Sequence, residues 1–246
     1  MIEKFKLKHL DLLTEDKIDY ARLMVEVDGY KNTWWNKRFG FMGSYKRTYS
    51  LIKYIQNLDP LLIDLDPGCK ILIPENIDDI SFSAMMELQM LLNNSSDLGL
   101  GELMAESIAI VCFSANSKLD FKIDSIAYNE FKSLIMDTSA TQMMGISNWI
   151  HKSLKESTNH WQQKFFEVEV IDEDYKNAGG EKMNAFNIVN TIKALCTDFN
   201  VTYEEAWQLS YSLTQINSLS KATYGFIQHH MSKIKEAKMR ANRKKP

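Results

Sequence analysis

Apolar residues recur at steps of three or four along most of the chain, the spacing that gathers them on one face of a helix. The pattern is clearest near the C-terminus. Phe186, Val189, Ile192 and Phe199 share a face, with Ile188 and Leu195 beside it, and Asn200 stands where such a helix would stop. Thr202-Tyr203-Glu204-Glu205 follows. There the Thr202 hydroxyl can accept from the Glu205 amide while the Glu205 carboxylate reaches back to the Thr202 amide, a capping box that starts a new helix. From it Leu209, Leu213, Ile216, Ile227, Met231 and Ile234 fall on one broad stripe, widened by Trp207, Tyr211 and Tyr224. An unbroken helix over 203–242 would be about 60 Å long at 1.5 Å per residue. It would be too long to cover its own stripe, so the expectation is that it packs across the rest of the chain, the alternative being that its far half meets a partner or a second copy. Gly225 and the Ser-rich 217–220 segment are the expected places for a bend.

The same periodicity predicts helices upstream. Ile18, Ala21, Leu23 and Met24 give a face over 14–27, and Tyr49, Ile52 and Ile55 one over 45–56. Met85, Leu88 and Leu92 do so from Ser81 onward, Met104, Ile108 and Val111 over 101–113, and Tyr128, Phe131 and Ile135 over 125–136. Segments 143–154 and 161–168 continue it. Asp66-Pro67-Gly68 marks a turn. Residues 70–73, stopped by Pro74, and 120–124, around Phe121 and Ile123, predict short strands. Acids and Gly179-Gly180 break the periodicity over 171–180. The expectation is a mainly α protein: an irregular helical bundle with one or two short β-strands and a long C-terminal helix. Its regions are 1–58, 59–170 and 181–246. Four prolines and ten glycines in 246 residues agree with helix, as do thirteen methionines.

Net charge is only −3, but it is unevenly placed. Residues 29–58 hold six basic residues and no acid, and are dense in aromatics such as Trp34, Trp35, Phe39 and Phe41. Residues 59–130 carry thirteen acids against three lysines, and 231–245 seven Lys/Arg against Glu236. Cations at a helix C-terminus suit its macrodipole, so part of that last charge needs no further purpose. Basic residues among rings can hold single-stranded nucleic acid, with Lys37, Arg38, Lys46 and Arg47 as the candidates. An aromatic satellite core with a solvated basic face explains the same residues, so nucleic acid is not the expected partner. Residues 1–13 are charged and lack the apolar run of a secretory leader. Cys69, Cys112 and Cys196, odd in number and far apart, suit reduced thiols. Both point to a cytoplasmic protein, and no apolar run is long enough to span a bilayer.

The motifs of chemistry do not assemble. Gly99 and Gly101 open a dinucleotide fingerprint, but Met104 stands at its third glycine. His229 and His230 are adjacent and so point to different faces, and His151 and His160 lack a cysteine companion. Asp78-Asp79, beside a helix start, simply favour its positive end. No nucleophile elbow is present. The expectation is no enzyme, no metal and no cofactor.

Residues 70–82 read Lys-Ile-Leu-Ile-Pro-Glu-Asn-Ile-Asp-Asp-Ile-Ser-Phe. A Met/Leu-rich helix, an Asn/Ser/Gly break and a second apolar helix ending at Val111-Cys112-Phe113 follow. This order resembles that of tail-assembly chaperone and baseplate-hub assembly proteins of tailed bacteriophages, as do Trp161-Gln162-Gln163-Lys164-Phe165-Phe166 and the helical 200–211 segment. The likeness spans the last two-thirds of the chain and lies in style and order rather than in a fixed motif. It implies a non-enzymatic helical protein that binds the tape-measure protein or nascent hub in the host cytoplasm. A structural virion component, such as a connector, ring or baseplate protein, is the alternative, and a homo-oligomer is compatible with either. The candidate binding residues are then the stripe Leu209, Leu213, Ile216, Ile227, Met231 and Ile234, joined by Met85 and Met86, whose flexible thioethers suit an adaptable surface, although a place in the core is the first expectation for each of these two methionines.

Overall fold

The computed structural model describes residues 5–14, 18, 20–31, 41–56, 65–66, 68–94, 98–170 and 186–243. Ten helices are named: α1 Asp11–Thr14, α2 Tyr20–Glu26, α3 Phe41–Gln56, α4 Phe82–Asn93, α5 Leu100–Ser117, α6 Ile126–Met136, α7 Ala140–Glu167, α8 Asn187–Phe199, α9 Tyr203–Gln208 and α10 Tyr211–Arg243. Short 3-10 turns lie at Leu7–His9 and Ile77–Asp79. The protein is mostly helical, as its periodicity predicts. Two compact units divide it. The first takes 1–77 and 84–153, the second 78–83 and 154–246. The division falls inside α4, between 83 and 84, and inside α7, between 153 and 154.

In the first unit α5 is the centre. Ser107-Ile108-Ala109-Ile110-Val111-Cys112-Phe113 is buried without interruption, as befits a helix apolar all round. The α6 helix packs on it, capped by the Ser125 hydroxyl, which accepts from the Tyr128 amide at 3.2 Å. Tyr128, Phe113, Phe121 and Phe131 form one ring cluster, with Phe121 5.8 Å from Tyr128. Phe121 therefore drops inward, and Asp124 at φ 60° turns the chain into α6, where the sequence suggested a strand. The strand expected at 70–73 is likewise absent among the described residues. The Asn116 side-chain amide takes the place of a neighbouring strand: it accepts from the Leu72 N–H at 2.9 Å and donates to the Leu72 carbonyl at 2.8 Å. The turn at Asp66 forms, its carboxylate accepting from the Gly68 amide at 2.8 Å.

The second unit is built from polar stitches around a small apolar centre. Ile192 and Leu195 of α8 are buried, whereas Phe186, Ile188 and Val189 are exposed. Asn200 ends α8 at φ 52°, and the Thr202/Glu205 capping box starts α9, with both bonds present at 2.8 and 3.3 Å. The long helix then breaks at Leu209-Ser210, not at 217–220 or Gly225. Leu209 is extended, and its carbonyl accepts from the Phe82 amide at 2.7 Å. Tyr211 donates to the Ile80 carbonyl at 2.8 Å, and Ser81 and Ser210 form an isolated antiparallel bridge. Ser210 then caps α10, its hydroxyl accepting from the Leu213 amide at 3.3 Å. The same Ser-x-Ser/Thr start recurs at Ser139-Ala140-Thr141, where Ser139 bridges Lys6 in the first unit. A helix cap has β-region backbone, so two of them can pair as one rung of a ladder.

Candidate functional site

Once capped, α10 is held only near its beginning. Tyr211 and Thr214 are buried. The Asp198 carboxylate of α8 accepts from the Asn217 amide at 2.8 Å and pairs with Lys221 at 2.6 Å. Those two bonds, the Lys221 one first, hold the Asp198 carboxyl below its ordinary range. Past Lys221 no residue of α10 up to Met239 is buried, and from Met231 to Met239 every residue is exposed. Apolar side chains persist there all the same: Tyr224 is 66% exposed, Ile227 47%, Met231 45% and Ile234 55%. Their offsets of 3, 4 and 3 residues keep them on one face. The Phe226 ring lies 4.4 Å from that of His230 on the same stretch. Lys235 is exposed beside this face and Lys238 continues it by one turn, whereas Lys233 and Glu236, the one acid of α10, stand on the opposite side of the helix.

The predicted binding residues divide accordingly. Ile227, Met231 and Ile234 come together on the open half, and Ile216 is exposed earlier on the same helix. Leu213 is half-buried in the anchored first turn, and Leu209 lies in the extended break, its backbone bonded to Phe82. Met85 has no exposed surface: it is core of the first unit, because its position on α4 faces inward, and it cannot meet a partner. Met86 beside it is half-buried.

The nucleic-acid candidates divide too. Lys37 and Arg38 lie outside the described residues. Lys46 is exposed on α3. Arg47 is already engaged: its Nε and Nη2 donate to the two oxygens of Asp28 at 2.9 and 2.7 Å, and the Ser44 hydroxyl donates to the same carboxylate. The Asp28 bond holds the guanidinium still more firmly protonated. A bidentate pair of this kind leaves Arg47 little to offer a phosphate.

Three polar nodes escaped the sequence reading. Asp78 is buried and accepts from the Ser157 hydroxyl and, at 3.1 Å, from the Trp161 indole. It ties its turn to α7 instead of facing a helix N-terminus. Serine and tryptophan four residues apart on α7 are the only trace it leaves in the sequence. Tyr128 donates to Glu106 at 2.6 Å, and Lys132 pairs with the other Glu106 oxygen. Burial, then the Glu106 bond, push the Tyr128 phenol far up. Lastly, Lys6, Lys8, His9, Arg22 and Glu26 line a cleft of about 440 Å³. His9 is fixed at both nitrogens: Nδ1 accepts from the Lys6 amide at 3.0 Å and Nε2 faces Glu26 at 3.2 Å. Lys6 and Lys8 meet Asp137 at 3.3 and 2.7 Å, and Arg22 meets Glu26 at 2.7 Å. This is a latch for the N-terminal segment, with its charges paired.

Burial pushes the Cys112 thiol up to about 12. Among the described residues no three His, Cys, Asp or Glu side chains gather to hold a metal, and no helix is long and apolar enough to cross a membrane. Compared with known protein families, characterised proteins and solved structures, the chain matches none of them.

Proposed function

We propose that this chain is a non-enzymatic assembly protein of a tailed bacteriophage, binding a long helical tail or baseplate protein such as the tape-measure or hub protein during particle assembly in the host cytoplasm. One observation carries the binding role: Tyr224, Ile227, Met231 and Ile234 on the outer half of α10 form an apolar face that is exposed to water. Exposed apolar residues at helical spacing suit helix-to-helix docking. The phage setting rests on the resemblance over 70–113. Arg47 being spent on Asp28 weakens the nucleic-acid alternative.

Co-expression of the tagged, full chain with its neighbouring genes, followed by light scattering, tests the proposal. The expected product is a discrete complex with a long helical protein, free of nucleic acid. A ring-sized homo-oligomer with no such partner would instead make the chain a structural component of the particle. A monomer carrying nucleic acid would move the function to the basic, aromatic segment.

A further inference from the structure

We infer that the outer half of α10 takes an acidic amphipathic helix of another protein, seated on Tyr224, Ile227, Met231 and Ile234, bordered by Lys235 and continued one turn on by Lys238. This rests on the proposed function and names the chemistry of the partner.

The seam has a defined extent. It begins beyond Lys221, because Asn217 and Lys221 are engaged with Asp198 and the first turns are anchored. From Tyr224 to Ile234 it spans about 15 Å at 1.5 Å per residue. That is about three turns, enough to seat the apolar residues of a partner at matching i, i+3, i+4 and i+7 positions.

Charge selects the occupant. Flanking charges on paired helices decide which partner and orientation are allowed. A second copy is a poor fit: the one acid of α10, Glu236, stands on the far side of the helix from this seam, so an identical helix brings no acid to Lys235 and Lys238, and a parallel pair sets each against its own copy. A nucleic-acid backbone would meet the lysines but leave Ile227, Met231 and Ile234 unused in water. A helix with an apolar seam bordered by Asp and Glu answers both features at once.

The test uses the full chain and a synthetic helical peptide of about three heptads, with Leu at the seam and Glu at the flanks. Its controls are the same peptide with Lys flanks, a scrambled peptide of identical composition, and duplex DNA. By fluorescence anisotropy the acidic peptide is expected to bind at least about tenfold more tightly than every control, and to weaken as salt is raised. Ile227→Asp with Ile234→Asp is expected to cost at least about tenfold in affinity, and so is Lys235→Glu with Lys238→Glu. Both variants change exposed side chains, and circular dichroism checks that the helix is retained. Equal binding by the scrambled peptide would overturn the proposal, as would tighter binding by DNA. So would a dimer of the chain that Ile234→Asp dissolves, which would make a second copy the occupant. If the co-expressed complex forms and survives the double Asp substitution, the assembly role stands and this surface is wrong. If the peptide results hold but no helical partner is captured, the surface stands and the assembly role fails.

Discussion

The two units use their helices in opposite ways. In the first, α5 is wrapped: seven consecutive residues, Ser107 to Phe113, are buried, and α6 with its aromatic cluster closes over them. In the second, α10 is the longest helix named, yet none of its residues from 222 to 239 is buried. Apolar side chains in the first unit are removed from water on folding and stabilise it at roughly 25 cal/mol per Å². Equivalent side chains on α10 remain in water and gain that free energy only when something covers them. The lesson is that similar periodicity supports two roles, folding and binding, and exposure distinguishes them.

Breaking the wrapped helix has the largest expected effect. Ile108→Ala leaves a cavity in a fully buried site and should destabilise the first unit by about 2–5 kcal/mol. Urea unfolding gives the size, and hydrogen exchange should show the lost protection concentrated in α5 and α6. Equal loss across α8 and α9 would break the contrast between the units.

Next comes the buried node of the second unit. Asp78→Ala leaves the Ser157 hydroxyl and the Trp161 indole without their acceptor, a penalty of about 1–3 kcal/mol for each buried orphan. Exchange along the second half of α7 should rise. Protection unchanged there would mean that water replaces the carboxylate.

A helix cap gives a smaller change. Thr202→Ala removes the hydroxyl that accepts from the Glu205 amide and should cost about 1 kcal/mol, read as a lower urea midpoint with α9 fraying first. Acid titration adds a pH-dependent effect at the His9 latch. Burial lowers the His9 pKa below its ordinary 6.5, against the opposing pull of Glu26. The unfolded chain then binds more protons than the folded one as pH falls through that value. The latch's contribution is therefore fully present above about pH 6.5 and lost as pH drops towards the lower folded value. His9→Gln should flatten this limb of the stability profile. An unchanged limb would assign it to other groups.

Much of the helical framework was legible because its signals are local. The Thr202/Glu205 box and the Asn200 stop need only neighbouring residues to act. What stayed hidden depends on distant partners. The extended 70–73 segment reads as a strand, but its bonds go to the Asn116 side chain 44 positions away. Helical periodicity runs on across Leu209-Ser210, so the break there is invisible until Ile80 and Phe82 supply its backbone bonds. The Ser-x-Ser start shared by Ser81 and Ser210 is the one sequence trace of that stitch. The open seam was half legible: Ile227, Met231 and Ile234 were named from spacing, but spacing could not set Met85 apart from them, since burial is decided by what packs opposite.

The central claim is that the outer half of α10 is a binding face rather than a structural one. Its most direct test compares the unaltered chain with the Ile227→Asp, Ile234→Asp variant for thermal midpoint and for the amount of helical partner retained on co-expression. The account predicts an unchanged midpoint, since exposed sites shift stability by no more than about 0.5 kcal/mol, together with loss of the partner. A lowered midpoint, or a partner fully retained, would contradict it.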